Sequence, residues 1–401
     1  MTDSTRVLIL GGGLAGLSFA IALKTEAPDL DVTVIEAHAL RSGTPNPLDT
    51  RASALNLHSA DCLEHWGVWS LLQTHLAPIH DIHVSHRGHF GSTLMSASDL
   101  NVEALGYVVE NHELGRVLLS RAQQLGVGVR APLRCARLRR DHELPAVETE
   151  EGELLSADLV LLAAGVASAW FDDLGITVDK RATKNQAFAF NVTFPGRQLG
   201  RAFERFTAGG PLAVLPLPSS ARSERRYNVV WSVSDSETFR LADLDDADFT
   251  DAFQAAFGWR LGPATNVGKR SQWPLVRLVA TEQFRASYLL VGNAAHTLHP
   301  VAGQGLNLSV READVLARTI SAAQAREQAI GHLSSLRPYL AEATTEQRFV
   351  TASTDLLSTL FDPRGPLIDA PRNLSLAMLD LIPAARAKVA GVGTGRRDFG
   401  F

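Results

Sequence analysis

The segment RVLILGGGLAGLSFAIALK, close to the N-terminus, constrains the fold more tightly than any other part of the chain. An apolar strand from Arg6 to Leu10 runs into a glycine loop, and the loop into a stretch of helical composition from Leu14 to Lys24. Gly11, Gly13 and Gly16 fill the three glycine places of a dinucleotide fingerprint. One makes a tight turn, one lets backbone approach a pyrophosphate, and one lets the helix pack close to the strand. The helix N-terminus adds free N–H groups and the positive end of its dipole. A second strand, Val32 to Glu36, ends in a carboxylate twenty residues beyond Gly16. There it accepts hydrogen bonds from an adenosine ribose and repels a 2′-phosphate. The unit predicts a Rossmann βαβ holding FAD or NAD rather than NADP; the alternative is a tight turn in a generic α/β domain.

The rest of the composition narrows the field. With 401 residues, 45% of them hydrophobic, the chain can build one large or two medium domains. A net charge of −5 provides no basic field for phosphate backbones, so no nucleic-acid partner is expected. Cys62 and Cys135 make neither a disulfide framework nor a zinc site, which fits a reducing cytoplasm. No signal peptide is read at the N-terminus, and no apolar run reaches the roughly 18 residues that suggest a membrane span.

Residues 52–76 read as helical, and HDIHVSH after them as a strand. Asn111 reads as the N-cap of a helix with Leu114, Val117, Leu118 and Leu125 on its apolar face, and Asp158 to Ala164 as a buried strand. From about residue 182 the period becomes two. Phe188, Phe190, Val192 and Phe194 alternate with small or polar residues, as do Tyr227, Val229, Trp231 and Val233. An antiparallel sheet covered on one side is expected, with Phe249, Ala252, Phe253, Ala256 and Phe257 on a helix packed against it. The phenylalanine stripes read either as ordinary core or as an apolar wall for an aromatic or lipid-like substrate. Trp66 and Trp69 read as core. His75, His80, His83, His86 and His89 do not fall on one strand face, so no metal site is expected. Near residue 286 a buried strand returns in YLLVGN, and Gly303 and Gly305 precede a helix beginning near Leu306. This second glycine-rich strand, loop and helix suits a ribityl-pyrophosphate or the pyrimidine side of a flavin. Residues 335–361 read as a long helix, and the tail from Pro371 mixes apolar residues with Arg386, Lys388, Arg396 and Arg397.

Three segments, GGGLAG, DTRASAL with its Arg51, and VGNAAHTLHPVAGQGLN, together carry a resemblance. The chain resembles the flavin-dependent aromatic hydroxylases of the p-hydroxybenzoate hydroxylase type, and among them the hydroxylases of ubiquinone biosynthesis. VSHRGH, GRAFERFT followed by GGPLAVLP, and AFGWRLG followed by GKRS are similar in particular to enzymes acting on a 2-polyprenyl-6-methoxyphenol. The match runs over nearly the whole chain. Residue patterns and resemblance agree on an α/β fold: a Rossmann-type, GR2-like FAD-binding domain with an inserted antiparallel β-sheet substrate domain and C-terminal helices. The expected FAD-binding parts are 1–75, 104–181 and 276–370, the substrate-domain parts 76–103 and 182–275, and the helical tail 371–401.

The resemblance implies that Gly11, Gly13, Gly16 and Glu36 hold the ADP half of FAD and that Arg51 and Arg116 meet phosphate and ribityl oxygens. Arg51 reads otherwise as a surface ion-pair partner. Asn293, Gly303, Gly305, Leu306 and Asn307 would hold ribityl and isoalloxazine, with Gly165 a further cofactor-binding position. In the flavin loop His299 and Pro300 are the candidate catalytic positions, the proline stiffening the loop beside the ring. His296 and His299 read otherwise as histidines that fix backbone carbonyls. Asn293 stands where such enzymes commonly carry Asp; an amide keeps the ribityl hydrogen bond and removes a negative charge. Ala164, before Gly165 in LLAAGVASAW, replaces the acid of an Asp-Gly pair. Weaker nicotinamide use, or compensation by a neighbouring backbone group, is expected.

The implied activity is FAD-dependent monooxygenation, hydroxylating the ring of a polyprenylated methoxyphenol through a flavin hydroperoxide, with NAD(P)H and O₂ as co-substrates. Such chemistry needs a water-poor pocket and gains about 10²–10⁴-fold from a general base that ionises the phenol. The sequence does not identify that base. Two other readings stay open: a flavin reductase or dehydrogenase acting on an apolar substrate, and a non-catalytic FAD-binding scaffold of a ubiquinone-synthesis complex. A polyprenyl substrate implies that a cytoplasmic protein touches the membrane peripherally, through the basic and apolar tail, and contacts that complex. Each Lys or Arg near an anionic leaflet contributes about 1 kcal/mol. The same tail reads equally as a helix capping the FAD domain.

Overall fold

The computed structural model describes residues 5–40, 51–88, 92–165, 170–207, 209–218, 224–297, 304–361 and 393–395, with 182–184 and 353–361 as backbone alone. The chain opens with β1 (Arg6–Leu10), α1 (Leu14–Glu26) and β2 (Asp31–Ile35). Next come β3 (Ala52–Asn56), α2 (Leu57–His65), α3 (Trp69–Leu72), β4 (Leu76–Ile79) and the hairpin β5 (Asp81–His86) and β6 (Ser92–Ser96). β7 (Gly106–Glu110), α4 (Asn111–Gln124) and β8 (Gly128–Arg130) precede β9 (Cys135–Arg139), β10 (Ala146–Thr149), β11 (Leu154–Ser156) and β12 (Leu159–Leu162). After α5 (Trp170–Leu174) run β13 (Val178–Pro195), β14 (Arg201–Thr207), β15 (Gly210–Pro216) and β16 (Glu224–Ser234). Then come α6 (Asp235–Ala242), α7 (Asp246–Phe257), β17 (Asn266–Val267) and β18 (Ser271–Ala280). β19 (Phe284–Arg285), β20 (Tyr288–Leu290), β21 (His296–Thr297), α8 (Gln304–Gln324) and α9 (Leu333–Phe361) complete the described elements.

Two sheets carry the architecture. The first has the order β19-β20-β12-β1-β2-β8, with β8, β2, β1, β12 and β20 parallel. β1 and β12 read as unbroken apolar runs because helices or other elements cover both faces, burying Val7, Ile9, Leu159 and Leu161 on one side and Leu8, Leu10, Val160 and Leu162 on the other. Chain order reverses at β1, which lies between β2 and β12. In open parallel sheets the crevice beyond the carboxyl ends at such a switch point is where ligands bind.

The second sheet follows the order β21-β18-β13-β16-β15-β14-β5-β6, with β17 on β13; β14 and β5 are its parallel pair. Residues 81–96, 178–280 and 296–297 supply it. On one face Phe188, Phe190, Phe194, Tyr227 and Trp231 bury against Phe249, Phe253 and Phe257 of α7. Several of the rings pack edge to face, as Phe190 does on Phe249 at 5.1 Å between centroids, and Phe253 stacks on Phe257. The phenylalanine stripes are therefore ordinary core and not a substrate wall. The other face is covered too, which corrects the expectation of a one-sided sheet: Ala187 and Ala189 are as buried as the rings opposite. Its small side chains let the sheet β3-β7-β4 lie close, so that Ala202, Leu215 and Ile82 pack with Ala52, Ala54, Ile79 and Val108. Asn228, fully buried, accepts from the Ala52 N–H at 3.3 Å and donates to Asn191 Oδ1 at 2.8 Å. Asn228→Leu removes both bonds from this junction. We expect a loss of about 1–3 kcal/mol, read as a lower urea midpoint at unchanged slope.

Two local readings change. The segment 52–76 starts as strand β3, paired to β7, and only at Asn56 turns into helix, the Asn56 side chain accepting from the Ser59 N–H at 2.8 Å. Alternation of small residues in ASALN is too weak to separate strand from helix. Asn111 is the first residue of α4 rather than its N-cap, which is Glu110, and its Oδ1 accepts from the Ser53 hydroxyl at 2.7 Å. His83 lies against Phe203 on the aromatic face of β5, whereas His86 alternates to the other face and His89 lies outside the described residues. The basic residues of the tail are also outside them. Gly393–Gly395 rest on α2 and α8, Thr394 O accepting from the His58 N–H at 3.2 Å and Gly395 O from Arg311. Among the described residues no helix is long and apolar enough to cross a membrane.

Candidate cofactor site

The carboxyl ends of β1, β2, β12 and β20 open on one edge of the parallel sheet, and Gly11, Gly13, Gly16, Glu36, Gly165, Asn293 and Gly305 lie there. Gly11 has φ +111°, and a Cβ on it would stand 2.7 Å from the Ala163 carbonyl oxygen. A Cβ on Gly16 would lie 1.9 Å from Gly11 O. These two glycines let loop, helix and strand touch. Gly13 differs. Its φ of −73° suits any residue, it is exposed, and a Cβ there meets nothing within 4 Å. It caps α1 without a side-chain hydrogen bond, and no acid occupies the first turn of that helix. The free N–H groups at this end thus face open space that suits an anion.

Glu36 stands just past β2, its Oε2 accepting from the Gly12 N–H at 2.8 Å and its Oε1 from the His38 N–H at 2.9 Å. On the other flank Gly292, with φ +57°, presses on both helices: its Cβ would be 3.2 Å from Ala15 Cβ and 3.1 Å from Ser309 Oγ. Asn293 follows, exposed, its Oδ1 3.8 Å from where a Cβ on Gly305 would sit. The amide therefore borders the first turn of α8, which carries no acid. Leu306 packs half-buried on the core. Asn307 has a structural occupation: its Oδ1 accepts from the Asn56 N–H at 2.9 Å and the Ser59 hydroxyl at 2.8 Å, and its Nδ2 donates to Ala54 O at 2.8 Å. Gly165, with φ +79°, leaves its Cβ direction open, and Ala164 before it is exposed.

Arg51 directly precedes β3 and places its guanidinium 5.8 Å from the centre of the Trp273 ring on the antiparallel sheet. Arg116 follows Gly115, which packs toward Leu14 of α1; its Nε donates to Glu113 at 2.9 Å. His299, Pro300 and Gly303 lie outside the described residues. His296 is 1% exposed and its Nε2 meets Glu312 Oε1 at 2.7 Å, so it ties β21 to α8. Glu312 also accepts from Gln347 of α9 at 2.6 Å. Sequence reasoning missed this buried group because its members are 16 and 35 residues apart. A glutamate at an otherwise apolar heptad-like position was the one available sign.

The chemistry of this donor set fits FAD. An uncapped helix end beside an open glycine suits the pyrophosphate, a carboxylate at the second strand end suits the ribose, and an amide beside the second helix end suits ribityl and ring. The FAD binding domain family model matches residues 4–347. Ubiquinone hydroxylase UbiL of Rhodospirillum rubrum is 30% identical over 98% of this chain and 86% of its own length. The 3-demethoxyubiquinol 3-hydroxylase of Escherichia coli is 29% identical over 93% of this chain and 94% of its own length. Among solved structures, p-nitrophenol 4-monooxygenase PnpA of Pseudomonas putida superposes with a TM-score of 0.80 at 20% identity, over 99% of this chain and all of the other, which is a likeness of fold. The chain thus belongs to the FAD binding domain family and is an FAD-dependent enzyme of the monooxygenase class.

Proposed function

We propose that this protein hydroxylates the aromatic ring of a polyprenylated methoxyphenol in ubiquinone biosynthesis, with NAD(P)H as reductant and O₂ as co-substrate. The observation that carries the reading is the meeting of two glycine-rich strand ends, at Gly13 and at Asn293 with Gly305, at one edge of the parallel sheet. Relatives along the full chain that are named for ubiquinone hydroxylation support it. Bound FAD, once reduced, supplies the electrons and the place where O₂ is activated. The protein's own residues bind and orient. Gly11, Gly13, Gly16 and Glu36 hold the ADP half, Arg51 and Arg116 turn toward phosphate and ribityl oxygens, Gly165 borders the cofactor, and Asn293, Gly303, Gly305, Leu306 and Asn307 hold ribityl and ring, Asn307 through its backbone. His299 and Pro300 keep the candidate catalytic role that the resemblance implies.

The FAD-binding parts in this reading are 1–75, 104–181 and 276–370, the substrate-domain parts 76–103 and 182–275, and the tail 371–401. The substrate lies against half-buried Val230 and Ala213, on the face of β16 and β15 that looks away from the aromatic core, where apolar side chains keep water out. Exposed Ala164 brings no carboxylate to the nicotinamide donor, so reduction is slower than with an acid there. Substrate is drawn from the membrane by a cytoplasmic protein in peripheral contact with it. The reading is tested by turnover of a 2-polyprenyl-6-methoxyphenol under ¹⁸O₂. One labelled oxygen in the product is the expected result; NAD(P)H consumption with unlabelled product would mean a reductase.

A further inference from the structure

We propose that Glu204 is the catalytic base that takes the proton from the substrate's phenol hydroxyl, a role that rests on the function proposed above. Glu204 lies on β14 in register with Ala213 of β15 and Val84 of β5, and Ala213 is in register with Val230 of β16, itself paired to Ala189 of β13. Paired residues share a sheet face, so these five side chains form one row. The row on one side, Asn191, Asn228, Leu215, Ala202 and Ile82, packs on β3, β4 and β7 and hydrogen-bonds Ala52. On the other side Trp273, Ala187, Ser232, Pro211, Phe206 and His86 form the next row, and Arg51 lies over Trp273. Glu204 thus stands on the face that meets the FAD-binding side, between two rows that residues 51 and 52 reach, and opposite the aromatic core.

An acid in this row has no structural employment. Its Oε1 is sealed from solvent and has no hydrogen-bond partner among the described residues, while its neighbours in the row are alanine and valine. Arg205, next along the strand, points to the other face and donates to Ala256 O and Ser85. Charged or titratable groups that the surrounding elements bring to this face are His86 of β5, Arg51 before β3 and the Arg226–Glu110 pair between β16 and β7. Glu346 of α9 is engaged with Arg311 at 2.7 Å. None of them acts on the carboxyl. Burial alone pushes Glu204 up from 4.5 to about 7. A side chain of partly open surface with one sealed, unbonded oxygen is arranged to receive a hydrogen bond from a ligand. A base with a pKa near working pH is also the best compromise between being ionised and holding a proton.

The step balances without redox change. The phenol O–H bond breaks, a carboxyl O–H bond forms on Glu204, and the electron pair left on the phenol oxygen enriches the ring for oxygen insertion. FAD-loaded protein is mixed with a 2-prenyl-6-methoxyphenol of short isoprenoid chain, its methyl ether serving as the control that has no proton to lose. The ultraviolet difference spectrum of bound phenol should show phenolate in wild type, growing as pH rises through about 7, and only neutral phenol in Glu204→Gln. Hydroxylation should fall at least about 100-fold in Glu204→Gln with KM little changed, lose its acidic limb, and recover in part in Glu204→Asp. Stability gives an independent readout. A carboxyl raised from 4.5 to about 7 keeps its proton in the folded state, so its contribution is intact below about pH 4.5 and is lost as pH climbs through 7. Glu204→Gln should therefore melt above wild type at about pH 8, the gap closing toward pH 5. A Gln variant that hydroxylates at the wild-type rate with the wild-type pH profile overturns the proposal, while ¹⁸O incorporation by wild type would leave the hydroxylase reading standing. A wild type that ionises bound phenol but incorporates no ¹⁸O supports Glu204 as the base and removes the hydroxylase reading instead.

Discussion

Gly13→Glu yields a folded protein that purifies colourless. The backbone at Gly13 is already extended, with φ −73° and ψ −175°, and a side chain there finds open space, so folding carries no penalty from the substitution. The space it enters is that in front of the α1 N-terminus, where the proposed site would seat the pyrophosphate of FAD. A carboxylate in that position both occupies the site and repels the phosphates, a conflict of several kcal/mol, and about 4 kcal/mol is already a thousandfold in affinity. Gly16→Ala is the contrast: its methyl group would stand 1.9 Å from Gly11 O, so the loop itself must move and the apoprotein loses stability. Fluorescence quenching of added FAD and thermal melts of the apoproteins separate the two. If Gly13→Glu protein retains bound flavin with wild-type affinity, the cradle is not at this loop.

Legibility in the sequence tracks how local the determining interactions are. The βαβ unit was readable because strand, glycine loop, helix and acid lie within 31 consecutive residues, Arg6 to Glu36, and each carries its own chemical reason. The Phe188 and Tyr227 stripes were readable as strands from their period, but a single face cannot reveal what covers the opposite one. There a third sheet formed from residues 52–110 packs on Ala202, Leu215 and Ile82, and of these only Ala202 is small enough to hint at close approach. Asn307 was read for the cofactor because it follows a glycine pair, whereas its side chain bonds residues about 250 positions earlier. Glu204 was invisible for the same reason: within GRAFERFT it resembles one charge among several, and only pairing with Ala213 and Val84 sets it apart from Arg205.

The second large effect is expected at the buried pair that joins β21 to α8. His296 lies three residues past Asn293, and its Nε2 hydrogen-bonds Glu312 of α8 where both are 1% exposed. Gln347 of α9 donates to the same carboxylate oxygen and exchanges hydrogen bonds with Gln283, so one buried glutamate joins β21, α8 and α9. Tyr339 completes the surroundings, its hydroxyl held well above the usual value of 10 by burial and then by Glu312. Removing one partner strands the other out of water, which costs about 3–5 kcal/mol for a buried pair. His296→Leu and Glu312→Leu should each lower stability by about that amount, whereas the double variant, which leaves no unpaired charge and strands only one Gln347 N–H, should lose clearly less than the two single losses summed. Such a cycle distinguishes a clamp from simple packing, because two packing losses would add. FAD affinity should follow the same non-additive pattern, since the loop that His296 anchors begins at Asn293 beside the first turn of α8. Urea midpoints of the three variants that show independent, summing losses would leave the pair as two unrelated core residues and detach it from the cofactor.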